Sequence, residues 1–149
     1  MFGIESASQD VLDFYKKGIS IEQARHAVRL AHQAGLLTLG FFIIGAPMEG
    51  EEHLGRTRRF LVEEPLDYVN INILGYYQGS ELWQSAVERG LLGASQTIAY
   101  ADERLSRYSV AQWQEQKSSL LNAFYARPAW MARIVWKCAR TRPPENVSA

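Results

Sequence analysis

The chain has a single cysteine, Cys138, among its 149 residues. A lone thiol makes no intrachain disulfide and cannot supply the several thiolates that a structural zinc site or an iron–sulfur cluster takes. Neither sign of charge is in excess, since 16 Lys and Arg balance 16 Asp and Glu, and this weighs against a nucleic-acid-binding module. Proline and glycine are sparse, at 5 and 11, while 47% of residues are hydrophobic, which excludes a collagen-like or disordered chain. Long hydrophobic runs are missing too. The most apolar stretch, Leu36 to Met48, falls short of the roughly 18–20 residues that span a bilayer as a helix, and no charged segment followed by an apolar one stands at the start. The expectation is a globular, cytoplasmic protein without a membrane span or a nucleic-acid partner.

The neutral total hides an asymmetry. Residues 127–149 carry five Lys or Arg and one acid, and the rest of the chain 11 basic and 15 acidic side chains. Met1 to Ser6 reads as the last part of a strand entering a loop, so the fold is expected to start midway. Val11, Leu12 and Tyr15 space a short amphipathic helix over 8–17, which Gly18 ends. Ser20 with Gln23 makes a capping box, Ile21, Ala24, Val28 and Ala31 form one helical face behind it, and Gly35 is placed as the C-terminal cap. Leu36 to Ile44 is apolar at nearly every position, as in a parallel strand covered on both faces. A helix follows over 50–63, with Leu54, Thr57 and Leu61 on one side and Pro65 as its stop.

Tyr68 to Leu74 alternates strictly: Val69, Ile71 and Ile73 face one way, Asn70 and Asn72 the other. Two amides where a structural barrel interior holds branched apolar residues point to a ligand. Gly75 to Gly79 reads as a loop and Ser80 to Arg89 as a helix, and no strand is expected after Leu91. Ser109 and Gln112 form a second capping box ahead of a stripe made by Val110, Trp113, Lys117, Leu120 and Phe124. After Arg127-Pro128 comes a last helix with Trp130, Ile134 and Cys138 on an apolar side and Arg133, Lys137 and Arg140 on a basic one. It is expected to pack on the barrel or on a further domain. His26, His32 and His53 lack metal-ligand spacing, and Ser6 and Ser8 are not in a nucleophile elbow.

Alternating strands and helices with short connections imply an α/β class and a parallel sheet. Three such strands do not close a barrel, and the first keeps an unpaired edge. Another chain could cover that edge, the protein could oligomerise through it, or the chain could be a remnant of a longer enzyme.

Gly3-Ile4-Glu5-Ser6, Lys17-Gly18, the run Gly40 to Pro47, Tyr77-Gln78-Gly79-Ser80-Glu81-Leu82 and Phe124-Tyr125-Ala126-Arg127-Pro128, in this order, resemble the second half of radical S-adenosylmethionine (SAM) enzymes. The likeness is closest to the subgroup with an N-terminal cobalamin-binding domain and extends from residue 1 to about 140. It implies the last three βα units of a partial (β/α)6, TIM-type barrel over 1–90, a helical extension over 91–140 and a disordered tail over 141–149. In that family a Cys-x3-Cys-x2-Cys loop binds a [4Fe–4S] cluster, and SAM on its open iron is cleaved reductively to a 5′-deoxyadenosyl radical.

By position, Glu5 and Ser6 resemble contacts to the ribose or methionyl part of SAM, where a carboxylate accepts hydrogen bonds from hydroxyls or an amino group. Lys17 matches a basic residue facing the SAM carboxylate. Phe41, Ile43 and Gly45 match the adenine-holding strand, with Gly45 permitting close backbone approach, and Tyr76 falls in the sixth-strand contact. The three-cysteine motif and the glycine-rich segment after the second strand are absent, Cys138 is no substitute, and Tyr-Gln-Gly stands for the usual Tyr-Pro-Gly. The resemblance thus implies a share of a SAM site with no catalytic residue and no metal ligand. The intact enzyme would use SAM, the cluster and in some members cobalamin for methyl transfer to, or rearrangement of, an unactivated carbon of a small-molecule substrate. The partner expected is the N-terminal half of the barrel or a cobalamin-binding domain. The alternatives are a non-catalytic subunit that completes a split barrel, a scaffold dimerising through its edge, and a phosphate-binding TIM-barrel fragment using the Gly75 or Gly79 loops.

Overall fold

The period-2 and period-3.6 patterns resolve into eleven elements in a computed structural model that describes residues 1–140. They are β1 (Phe2–Glu5), α1 (Gln9–Phe14), α2 (Ile21–Gln33), β2 (Leu39–Ile44), α3 (Glu51–Glu63), β3 (Tyr68–Ile73), β4 (Gly75–Tyr77), α4 (Glu81–Glu88), β5 (Ile98–Tyr100), α5 (Val110–Tyr125) and α6 (Pro128–Arg140). The tail over 141–149 and the side chains of Cys138 and Arg140 lie outside what is described. Both capping boxes form, Ser20 with Gln23 and Ser109 with Gln112.

The chain is α/β, with β1, β2 and β3 in one parallel sheet in that order. Partners in a parallel pair share a face, so the register Gly40↔Val69 to Ile44↔Ile73 sorts the side chains into two sets. Phe42, Ile44, Val69, Ile71 and Ile73 are buried with Phe60, Leu61, Trp113, Leu120 and Phe124 in one core, where Phe42 meets Phe60 edge to face at 5.8 Å. Phe41 and Ile43 are only half-buried, and Asn70 and Asn72 are exposed. The expectation of a strand covered on both faces is therefore corrected. One face is open, and Leu36 and Leu37, 59% and 60% exposed, precede the strand rather than belong to it.

A second correction concerns Gly75–Tyr77 and Ile98–Tyr100, expected as a loop and a strand-free stretch. They pair antiparallel as β4 and β5. Three residues per strand are too few for alternation to register as a pattern, and their tertiary pairing holds them.

The two edges of the parallel sheet differ. On β3, the Tyr125 hydroxyl donates to the Val69 carbonyl at 2.9 Å and accepts from the Val69 N–H at 3.1 Å. α5 thereby closes that edge. Among the described residues β1 has a strand partner only on its β2 side. Tyr125→Phe is expected to destabilise the chain by about 1–3 kcal/mol, since both Val69 groups lose their partner in a half-buried setting. Urea unfolding would measure the loss, and amide exchange should localise it to β3.

α6 packs on the domain through Trp130 of its apolar side, whose ring meets those of Phe124 and Tyr125, and through its basic side as well. Arg133 donates to the Leu66 carbonyl, Trp130 Nε1 to the Asp67 carbonyl at 2.6 Å, and Lys137 to the Asp67 carboxylate at 2.7 Å. Arg133 and Lys137 face inward beside Trp130, while Val135 and Trp136, which belong to neither side as read from the sequence, are 69% and 55% exposed. A buried carboxylate and open carbonyls at the start of β3 recruit cations to the same surface that the apolar side of the helix covers.

Candidate functional site

The open face gathers its polar groups at the C-terminal end of β1. The register slips by one residue between Gly3 and Glu5, and Glu5 has φ 66, a left-handed conformation that a β-strand residue with a long side chain adopts only under constraint. Its carboxylate swings back over Gly3, so that a Cβ built there would stand 2.7 Å from Glu5 Oε1 and 3.1 Å from Lys17 Nζ. Glycine at position 3 is what leaves room for the pair. Lys17 arrives from the turn ending α1, where its N–H closes onto the Leu12 carbonyl and Lys16 and Gly18 have φ 52 and 68. Lys17 Nζ donates to Glu5 Oε1 at 2.9 Å, and the side chains are 33% and 18% exposed. Lys16 instead pairs with Glu81 on the surface.

One strand over, Phe41 is the register partner of Gly3 and of Asn70, and Ile43 that of Asn72. The open face is thus a carboxylate and an ammonium side by side, then a half-buried apolar strip, then two amides.

Of the residues singled out in the sequence, the fold brings Glu5, Lys17, Phe41 and Ile43 together and sets three apart. Ser6 is buried, its hydroxyl accepting the Ser8 N–H at 3.2 Å. Gly45 has φ 111, and what approaches it is the chain itself: a Cβ there would stand 2.8 Å from the Cβ of Ala101. Tyr76 is buried and faces a groove of about 250 Å³ with Phe14, Arg89 and Arg104. Burial pushes its phenol pKa up.

Glu49 escaped notice in the sequence. It is fully buried, and its Oε2 accepts the Gly45 N–H at 2.7 Å and the Ala46 N–H at 3.1 Å, tying the turn after β2 to the start of α3. Its other oxygen, the Tyr15 and Ser8 hydroxyls and the Thr57 hydroxyl are buried without a hydrogen-bond partner. Burial raises the Glu49 pKa and outweighs the two backbone donors, which lower it. Burial likewise raises Tyr15, with Glu49 as its leading charged neighbour. A carboxylate four residues after Gly45, in a Gly-Ala-Pro turn with free N–H groups, was the available signal.

His53 bridges Asp10 at 2.8 Å and accepts the Gly50 N–H, which lowers the Asp10 pKa. Among the described residues no group of three or more His, Cys, Asp or Glu is arranged to hold a metal.

No protein-family profile matches the chain. It is 33% identical over 140 residues, 91% of its own length, to a protein of Pyrococcus horikoshii named "Uncharacterized methyltransferase". It is 38% identical over 72 residues, 48% of its length, to a protein of Methanocaldococcus jannaschii named "Putative methylthiotransferase". The chain spans 30% of the first and 16% of the second, so its likeness is to a part of each of two proteins named for moving a methyl or methylthio group.

Proposed function

We propose that this chain is the C-terminal part of a radical SAM barrel and that the open face of its sheet holds SAM. The observation that carries this reading is the Glu5–Lys17 pair over Gly3, beside the apolar strip of Phe41 and Ile43. An amino-acid zwitterion is the natural complement of an adjacent carboxylate and ammonium. Lys17 would take the methionyl carboxylate, Glu5 the amino group or ribose hydroxyls, and Phe41 and Ile43 the adenine. Ser6, Gly45 and Tyr76 shape the turns behind the ligand. Bound SAM supplies an activated carbon–sulfur bond, and the names of the two relatives support methyl-transfer chemistry by the whole protein.

The open edge of β1 is the docking line for the rest of a partial (β/α)6, TIM-type barrel, covalently continuous or supplied as a separate chain. The residues present do not fit a [4Fe–4S] cluster. The chain has one cysteine, and no metal-holding group stands among the described residues. In this reading the cluster ligands and any cobalamin site belong to that other portion, and this chain by itself binds SAM without cleaving it.

Calorimetric titration with SAM tests the proposal. Binding in the range of about 0.1–1 mM is expected for a partial site, with Lys17→Met and Glu5→Gln each weakening it about 5- to 10-fold through loss of a charged hydrogen bond. Absence of binding, or binding indifferent to both substitutions, would overturn the assignment. Anaerobic reconstitution with iron and sulfide tests the second part: a stable cluster EPR signal from this chain alone contradicts it.

A further inference from the structure

We infer that the open face leads into a second pocket, one that takes a planar, negatively charged molecule, an aromatic or heteroaromatic carboxylate, between Tyr77 and Tyr100 with its acid group on Lys117. A cavity of about 300 Å³ lies between the end of β3, the β4–β5 pair and the first turns of α5, a size at the lower end of small-molecule sites. Asn72, Tyr77, Tyr100, Gln114 and Lys117 supply its polar groups, and no carboxylate lines it.

Lys117 is out of place as a surface charge. It falls in the α5 stripe between Trp113 and Leu120, both buried, and so the helix turns it toward the domain. Elsewhere in the chain Lys17 pairs with Glu5, Lys16 with Glu81 and Arg104 with Asp102. The side chains of Lys117 and Asn72 have no hydrogen-bond or ion-pair partner among the described residues. An inward-facing ammonium next to an amide, with no acid to neutralise it, selects an anion.

The two tyrosines select its shape. Tyr76 and Ala99 of the β4–β5 pair are buried, which sends Tyr77 and Tyr100 to the other face, 57% and 50% exposed. Gly75 is the register partner of Tyr100, and a Cβ at Gly75 would stand 2.7 Å from the Tyr77 ring. The missing side chain is what lets that ring lie along the strand as a platform. Stacking on exposed phenols beside a cation fits a flat acid.

Asn72 is paired in register with Ile43, so the rim of the pocket at Asn72 lies on the same face of the sheet as the Glu5–Lys17 pair, two strands over and two residues further along. Its role as the substrate side of a SAM site rests on the function proposed above; its ligand chemistry does not.

The test is an NMR titration of the ¹⁵N-labelled chain with benzoate and with its uncharged isostere benzamide, followed by SAM. Benzoate is expected to shift amides of residues 72–77, 98–100 and 110–117 saturably and to bind about 5-fold more tightly than benzamide. Lys117→Met should abolish that difference, Lys117→Arg should retain it, and Tyr100→Ala should weaken both probes. Equal binding of the two probes, shifts centred on the groove at Arg89 and Arg104, or no saturable shift would each overturn the inference. Benzoate binding without SAM binding upholds the pocket and removes the proposed function; SAM binding without benzoate removes the pocket alone.

Discussion

Replacing Glu49 with alanine is expected to cost about 3–5 kcal/mol of stability, a large part of what holds a domain of this size together. The substitution strands the Gly45 and Ala46 N–H groups, which bond to Glu49 Oε2 at 2.7 and 3.1 Å, in an interior where each unpaired donor costs about 1–3 kcal/mol. Glu49→Gln keeps an acceptor for both donors and removes a buried charge. Burial raises the Glu49 pKa above its ordinary 4.5, so the folded chain holds this proton after the unfolded chain has released it. Stability therefore falls as pH rises from 4.5 through the raised value and then levels off. The glutamine variant lacks that decline, so it should match the native chain in acid and overtake it toward neutral pH. Denaturant unfolding across this range is the measurement. A cost below about 1 kcal/mol for the alanine variant would mean that the turn does not depend on this side chain.

Asp67→Ala is expected to have a similar effect by a different route. The fully buried carboxylate accepts from the Thr38 N–H and hydroxyl at 2.9 and 3.1 Å and from Lys137 at 2.7 Å, with Arg133 3.5 Å from its other oxygen. It joins the entry to β2, the start of β3 and α6. Removing it takes an acceptor from Thr38 and Lys137 and a counter-charge from Arg133, at about 3–5 kcal/mol for the broken network. Burial pushes the Asp67 pKa up, but Lys137 and Thr38 outweigh it and hold the carboxyl below the usual 3.8. A depressed folded value means that this stabilisation is complete above pH 3.8 and is lost as pH falls through the lowered value. The alanine variant should show no such loss in acid, and α6 should come away. A red shift in tryptophan emission and faster amide exchange over 128–140 would report it. A variant with unchanged α6 exchange would show that Trp130 and Arg133 dock the helix unaided.

Much of this chain was legible in one dimension because its signals are local. Ser20-Gln23 and Ser109-Gln112 mark helix starts because each box is closed within four residues. Val69, Ile71 and Ile73 against Asn70 and Asn72 sort the faces of β3 because the pleat imposes a period of two. Two kinds of feature escaped. The strands β4 and β5 are three residues each and exist through pairing across some twenty positions, which leaves no periodic trace. Glu49 and Asp67 look like solvated charges in a string, since a charge carries no mark of what will face it.

The sequence by itself determined the α/β class, the order and spacing of the parallel strands and which side chains of β3 lie on the open face, all set by short-range stereochemistry and hydrophobic periodicity. Only the tertiary structure decided which charges are buried and paired. It stacked Glu5 and Lys17 over Gly3, turned the basic side of α6 inward to Asp67, and left Lys117 unmatched beside two tyrosines. Electrostatic partners are chosen by proximity in space, and proximity exists only once the core has closed.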